Sequence, residues 1–120
     1  KPEPPPAPKP VTAKGLEQEG RELLAKSDFD GAIVAFSAAI AKDAKFAMAW
    51  NGRGYAKMRK ADYKGAIEDY TVAIKHNVNY ANAYRNRAAA FRMLGNKAMA
   101  EEDAAMANEL HSKLPANIAR

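Results

Sequence analysis

Laid over itself with a shift of 34 residues, the chain shows one hydrophobic skeleton three times. Trp50 recurs as Tyr84 and, one period earlier, as Leu16; Gly54 recurs as Ala88 and Gly20; Ala66 as Ala32 and Ala100; Ala73 as Ala39 and Ala107. A fixed period of this length restricts the fold to a stacked array, in which each unit buries its apolar face only against its neighbours. Such arrays curve around what they hold, which directs the search for function to a binding surface rather than a reaction centre.

From residue 13 onward the spacing is helical. In the second copy Trp50, Gly54 and the Lys57–Met58 pair fall at helical intervals. Asp62 then stands where an N-cap belongs, and Ala66, Ile67, Tyr70, Ala73 and Ile74 form the apolar stripe of a second helix. Each copy therefore predicts helix, short turn, helix, with turns at Ser27–Asp28, Ala61–Asp62 and Gly95–Asn96. The expected fold is an all-α solenoid of six antiparallel helices in three hairpins, residues 13–46, 47–80 and 81–114. Helices of about 14 residues, or roughly 20 Å, are too short to stand alone in water, so stacking has to supply the stability. Gly20, Gly54, Ala32, Ala66, Ala88 and Ala100 let paired helices approach closely.

Residues 1–12 form a separate segment. The run KPEPPPAPKP cannot be helix or sheet, because proline fixes φ, lacks a donor and restricts the residue before it. It reads as a linker, disordered or polyproline II, and residues 115–120 read as a short C-terminal tail. The start at Lys1 without Met raises the expectation that a signal peptide, a membrane anchor or another domain once preceded it, with a lean toward an exported or tethered location. No stretch of the sequence comes near the roughly 18 apolar residues of a membrane span. Lys and Arg number 19 against 14 Asp and Glu, too small an excess to argue for nucleic acid. The absence of cysteine excludes disulfides and thiolate chemistry.

These columns resemble the tetratricopeptide repeat family, whose pattern runs W-x2-L-G-x2-Y, then A, an aromatic, A and P. The first core column holds Leu16, Trp50 and Tyr84, and the small column holds Gly20, Gly54 and Ala88. The second helix matches through Ala32, Ala66 and Ala100, through Phe36, Tyr70 and Ala104, and through Ala39, Ala73 and Ala107. The sequence also departs from the pattern. The helix-ending proline is replaced by Ala44, Val78 and Ser112, so looser turns or a helix that runs on are expected. Lys57 stands in a column filled by Leu23 and Phe91, where its stem is expected to pack while its ammonium snorkels out. Arg53 and Arg87 are each followed 16 residues later by an acid, Asp69 and Asp103, whereas repeat one has Glu19 followed by Ala35. That parallel predicts Arg–Asp pairs bridging helices, a structural role that keeps both arginines out of a binding site.

In the family the first helix of each repeat lines a concave groove. The resemblance thus implies a peptide-binding surface of Lys14, Glu17, Arg21 and Leu24, then Asn51, Tyr55, Met58 and Arg59, then Asn82, Arg85, Asn86, Ala89 and Arg92. Five of these are basic and one is acidic, which suits an extended or helical peptide with acidic groups and one apolar anchor at Tyr55 and Met58. Asparagine amides can bond a peptide backbone whatever its side chains. Chaperone-binding members grip a C-terminal carboxylate with Lys, Asn, Asn, Lys and Arg. The matching positions here hold Glu17, Arg21, Gly52, Asn82 and Asn86, so recognition of an EEVD-type tail is not implied.

Nothing in the sequence points to catalysis, a metal or a cofactor. His76 and His111 are the only histidines, both late in second helices without partners at ligand spacing. Glu101, Glu102 and Asp103 fall in the first turns of the last helix, where carboxylates complement the helix dipole. No phosphate loop or Ser/His/Asp arrangement is present. The expected partner is a protein or peptide, and nucleic acid is not. The family's arrays usually end in an extra polar helix, whereas here only PANIAR follows Leu114. The last hairpin is therefore expected to expose Met99, Met106 and Leu110, which offers self-association or assembly through the C-terminal helix as the alternative function.

Overall fold

A computed structural model describes residues 2–5 and 11–114; the rest of the expected proline-rich linker and the C-terminal tail lie outside the described residues. Six helices follow in order: α1 (Ala13–Ala25), α2 (Phe29–Lys42), α3 (Ala47–Arg59), α4 (Tyr63–His76), α5 (Ala81–Met93) and α6 (Lys97–Ser112). Each pairs with the next along the chain, giving three hairpins stacked in sequence.

The three turns inside the hairpins share one construction. Ser27, Ala61 and Gly95 take left-handed conformations, with φ of 60°, 64° and 77°. The next residue's N–H then reaches back to the carbonyls of Leu23, Lys57 and Phe91 at 2.9 Å, closing the helix end. Asp28, Asp62 and Asn96 immediately cap the following helix, accepting from the N–H groups of Gly31, Gly65 and Met99. Between hairpins the missing proline is replaced by a different device. Asp43 and Asn77 fold their side chains onto the N–H of Lys45 (3.1 Å) and Asn79 (3.2 Å), and the Trp50 indole donates to the Ala44 carbonyl at 2.8 Å. These turns stop α2 and α4 at 14 residues each, so the first two connections are not loosened. Only α6, which ends near Ser112, runs on, to 16 residues.

The core follows from matching large residues to absent ones. The buried Phe36 ring occupies the space of two missing side chains: a Cβ on Gly20 of α1 would lie 2.6 Å from it, and a Cβ on Gly52 of α3 would lie 2.5 Å from it. Tyr70 does the same against Gly54, at 2.7 Å. In the third hairpin both members are alanine, Ala104 in the column of the ring and the buried Ala88 in the column of the glycine. Between hairpins α3 packs Ala49 and Ala56 onto α2, and α5 packs Ala83 and Ala90 onto α4, each pair seven residues apart on one helix face.

The Arg–Asp pairs form as expected and are bidentate. Arg53 donates from Nε and Nη2 to Asp69 at 2.9 Å each, and Arg87 to Asp103 at 2.7 and 2.8 Å. The remaining Nη1 of each reaches a hydroxyl of the preceding hairpin, Ser37 or Thr71, at 3.2 Å. Each arginine thus ties its own hairpin together and the previous one to it, and the carboxylate hydrogen bond holds its guanidinium above the ordinary value against the opposing effect of burial. Lys57 departs from expectation. Its ammonium turns inward to Asp69 at 3.1 Å, because a carboxylate only 2 % exposed draws a second cation in preference to leaving charge unmatched.

Three outcomes test this account by urea denaturation. Asp69→Ala leaves Arg53 and Lys57 without their carboxylate and should cost about 3 kcal/mol. Ala61→Gly relieves a left-handed alanine, as Gly95 already does in repeat three, and should gain about 1 kcal/mol. The Tyr70 hydroxyl is buried without a partner, so Tyr70→Phe should gain about 1 kcal/mol. Burial, reinforced by Tyr55 and Asp69, raises the Tyr70 pKa above its unfolded value. Its contribution is therefore complete below about pH 10 and lost as pH rises beyond, where the unfolded chain ionises first. Tyr70→Phe should flatten that alkaline loss in part, since the Tyr80 pKa is raised in the same direction.

Candidate functional site

The concave face is set by which helices touch. α1 contacts α3 and α3 contacts α5, while α2, α4 and α6 make no contact with one another. The first helices therefore form the inner, shorter row and the second helices splay outward.

Along the inner row lies a hollow of about 320 Å³, lined by Glu17, Arg21, Leu24, Met48, Asn51, Gly52, Tyr55, Tyr80, Asn82 and Asn86. A neighbouring hollow of about 360 Å³ shares Glu17, Arg21 and Met48 and adds Lys14 with Ala13, Asp43 and Phe46. The floor carries a chain of polar groups: Asn86 Nδ2 donates to Asn51 Oδ1 at 3.1 Å, and Asn51 Nδ2 donates to the Tyr80 hydroxyl at 3.2 Å. Burial pushes the Tyr80 hydroxyl above its ordinary value, with the Asn51 bond acting against the shift and the nearby Glu17 charge adding to it. It stays protonated at neutral pH and keeps a donor for a further partner.

The electrostatics are milder than the residue count suggests. Glu17 is 2 % exposed and its carboxylate meets Arg21 Nε at 2.7 Å, so the charge of Arg21 is matched inside the hollow. Arg85 donates to Asn82 Oδ1 at 2.8 Å. Arg59 lies 4.9 Å over the Phe29 ring and reaches the Tyr55 hydroxyl at 3.4 Å.

Of the expected groove residues, the two hollows bring together Lys14, Glu17, Arg21, Leu24, Asn51, Tyr55, Asn82 and Asn86. Met58 instead packs against the core cluster of Ala66, Tyr70 and Ala90, because its position on α3 turns it toward α4. Arg92 lines a separate hollow at the α5–α6 turn with Gly95, Lys97, Ala100 and Glu101. Arg59 and Arg85 are exposed beside the lining rather than in it. Met48, Gly52 and Tyr80 complete the surface and were not anticipated. The repeat held the signal for two of them: Met48 shares the column of Lys14 and Asn82, and Tyr80 stands ahead of α5 as Phe46 does ahead of α3.

The five positions that hold a carboxylate clamp in chaperone-binding members converge in this one hollow. Their chemistry here is a matched acid–arginine pair, two amides and a glycine. Gly52 is held by packing, since any side chain would collide with Phe36. Among the described residues no group of His, Asp and Glu could hold a metal ion, and no helix is long and apolar enough to cross a membrane.

No family model matches the sequence, and no curated protein does. Solved structures do. The chain is similar to the second TPR of Spaghetti (RPAP3) bound to the HSP90 peptide SRMEEVD, at 25 % identity over 82 % of this chain and 92 % of that one, with a TM-score of 0.81. It is similar to the TPR2B domain of yeast Sti1 in complex with pHsp70, at 26 % identity over 85 % and 82 %, with a TM-score of 0.83. The translocator chaperone SycD of Yersinia enterocolitica type III secretion, in an alternative dimer, shares the fold at 20 % identity over 89 % and 81 %, with a TM-score of 0.83. Six helices on a 34-residue period, stacked as they are in these domains, give the chain the all-α solenoid fold of tetratricopeptide-repeat domains, in three helical hairpins.

Proposed function

We propose that the domain binds an extended peptide segment of a partner protein in the concave hollow, reading its backbone through amides. The observation that carries this reading is the chain Asn86–Asn51–Tyr80, flanked by Asn82, on the floor of a hollow whose one buried carboxylate is already matched. Amide groups both donate and accept, so they complement main-chain N–H and C=O without selecting side chains. Selectivity then comes from an apolar side chain seated among Leu24, Met48 and Tyr55, the last two being 45 % and 38 % exposed. Lys14, Arg59 and Arg85 stand around the lining and favour acidic flanks by attraction at the edge rather than by pairing inside. The solved complexes of RPAP3 with the HSP90 peptide SRMEEVD and of Sti1 with pHsp70 support partner capture by this fold.

The test is selection of binders from a peptide-display library followed by calorimetry on the winners. Asn51→Ala with Asn86→Ala should weaken them at least about tenfold with the melting temperature nearly unchanged. Arg59→Glu with Arg85→Glu should weaken only acidic sequences, and less so at high salt. Selected peptides indifferent to the asparagine pair would refute the reading.

A further inference from the structure

Among the described residues that line the concave hollow, one is acidic and one is cationic, Glu17 and Arg21, and the two meet at 2.7 Å. Their side chains are exposed to very different degrees, 3 % for Glu17 and 56 % for Arg21. The acid is sealed in the wall, while its counter-charge lies open to whatever enters. No second cation is at hand inside. Lys14 belongs to the neighbouring hollow with Asp43, and Arg85 stands outside the lining on Asn82.

This arrangement treats a charged and a neutral oxygen differently. A carboxylate that took the guanidinium for itself would leave Glu17 buried without its match. One that shared it would set two carboxylates against a single cation in a space walled by Leu24, Met48 and Tyr55. A main-chain carbonyl makes neither demand. Glu17 is met through Nε, so the two Nη groups of Arg21 remain as donors for a neutral oxygen, and the asparagine amides nearby make the same offer. The hollow is also open at this end. Glu17, Arg21 and Met48 line the neighbouring hollow as well, so a bound chain has room to run on past them toward Ala13 and Phe46.

On the reading that the hollow captures a peptide, on which this inference rests, we propose that the Glu17–Arg21 pair makes it select an internal segment of the partner and refuse a chain end. A free C-terminal carboxylate is excluded from the hollow, and Glu17 is the residue that excludes it. Acidic side chains are then accepted at the edge, beside Lys14 and Arg85, and not within.

The probes are display-selected peptides, each cut back to end at the residue whose replacement by alanine weakens binding most. Each is made as the free acid and as the carboxamide, so that the two forms differ in the charge of the chain end alone. In titrations followed by fluorescence anisotropy, the wild-type chain should bind the carboxamide at least about tenfold more tightly than the free acid. Glu17→Gln keeps the side chain's shape and removes its charge, and should bring that ratio below about threefold whatever it does to the affinity of either form. Arg21→Ala leaves the acid unmatched and should widen the ratio. Thermal melts by circular dichroism establish that each variant is folded, and the comparison on the wild-type chain stands without them. A free acid bound as tightly as the carboxamide, or more tightly with a preference that fades in high salt, overturns the proposal and leaves peptide capture in place. A ratio that Glu17→Gln does not move overturns it equally. If no selected peptide binds saturably in any form, the reading and the inference fall together.

Discussion

The structure depends on one contact repeated with variation: an aromatic ring of an outer helix lying in the space left by glycine on an inner helix. Phe36 fills the gaps over Gly20 and Gly52 at once, so a single buried ring fixes α2 against both the helix before it and the helix after it. The contact sets the spacing of the inner row, and with it the width of the concave face. It also explains why the face carries no side chain at position 52, whose counterpart in the third repeat is Asn86. The groove floor at Gly52 is the underside of the core, and its chemistry cannot be changed without moving the ring.

Polar interactions act on a different axis. The bidentate Arg–Asp pairs run across each hairpin and on to the hydroxyl of the previous one, so they link neighbours that the apolar contacts already press together. Arginine suits this because its planar guanidinium meets a carboxylate with two donors while keeping a third for the hydroxyl. Repeat one has neither partner. Glu19 and Ala35 stand in those columns, so α1 and α2 are joined by packing without such a pair.

Much of this was legible in the sequence, for a physical reason. A 34-residue period repeats every contact, so helix order, turn positions and the Arg53–Asp69 spacing each came with internal copies as a check. The site was less legible because binding residues are those on which the copies disagree. Met58 and Tyr55 sit three residues apart on α3, yet the packing of α4 places only Tyr55 in the hollow. Lys57 was misjudged for a related reason: periodicity shows which column a residue occupies, but not that a buried acid beside it will draw its charge inward. The matched Glu17–Arg21 pair was likewise hidden in a count of charges, which records residues and not which of them meet.

The exchange of ring and glycine for two alanines in hairpin 3 has a mechanical consequence. In an array where each unit is held only by its neighbours, fraying begins at the unit with the least interlocking surface. Hairpin 3 lacks the keyed ring, and its two helices are joined instead by the bidentate Arg87–Asp103 pair, whereas hairpin 1 has the ring without the pair. The concave hollow takes Glu17 to Tyr55 from the first two hairpins and, from α5, only residues in its first half. The two devices that hold hairpins together are thus separable, and the hollow draws its walls from the part of the array where the ring is the device in use.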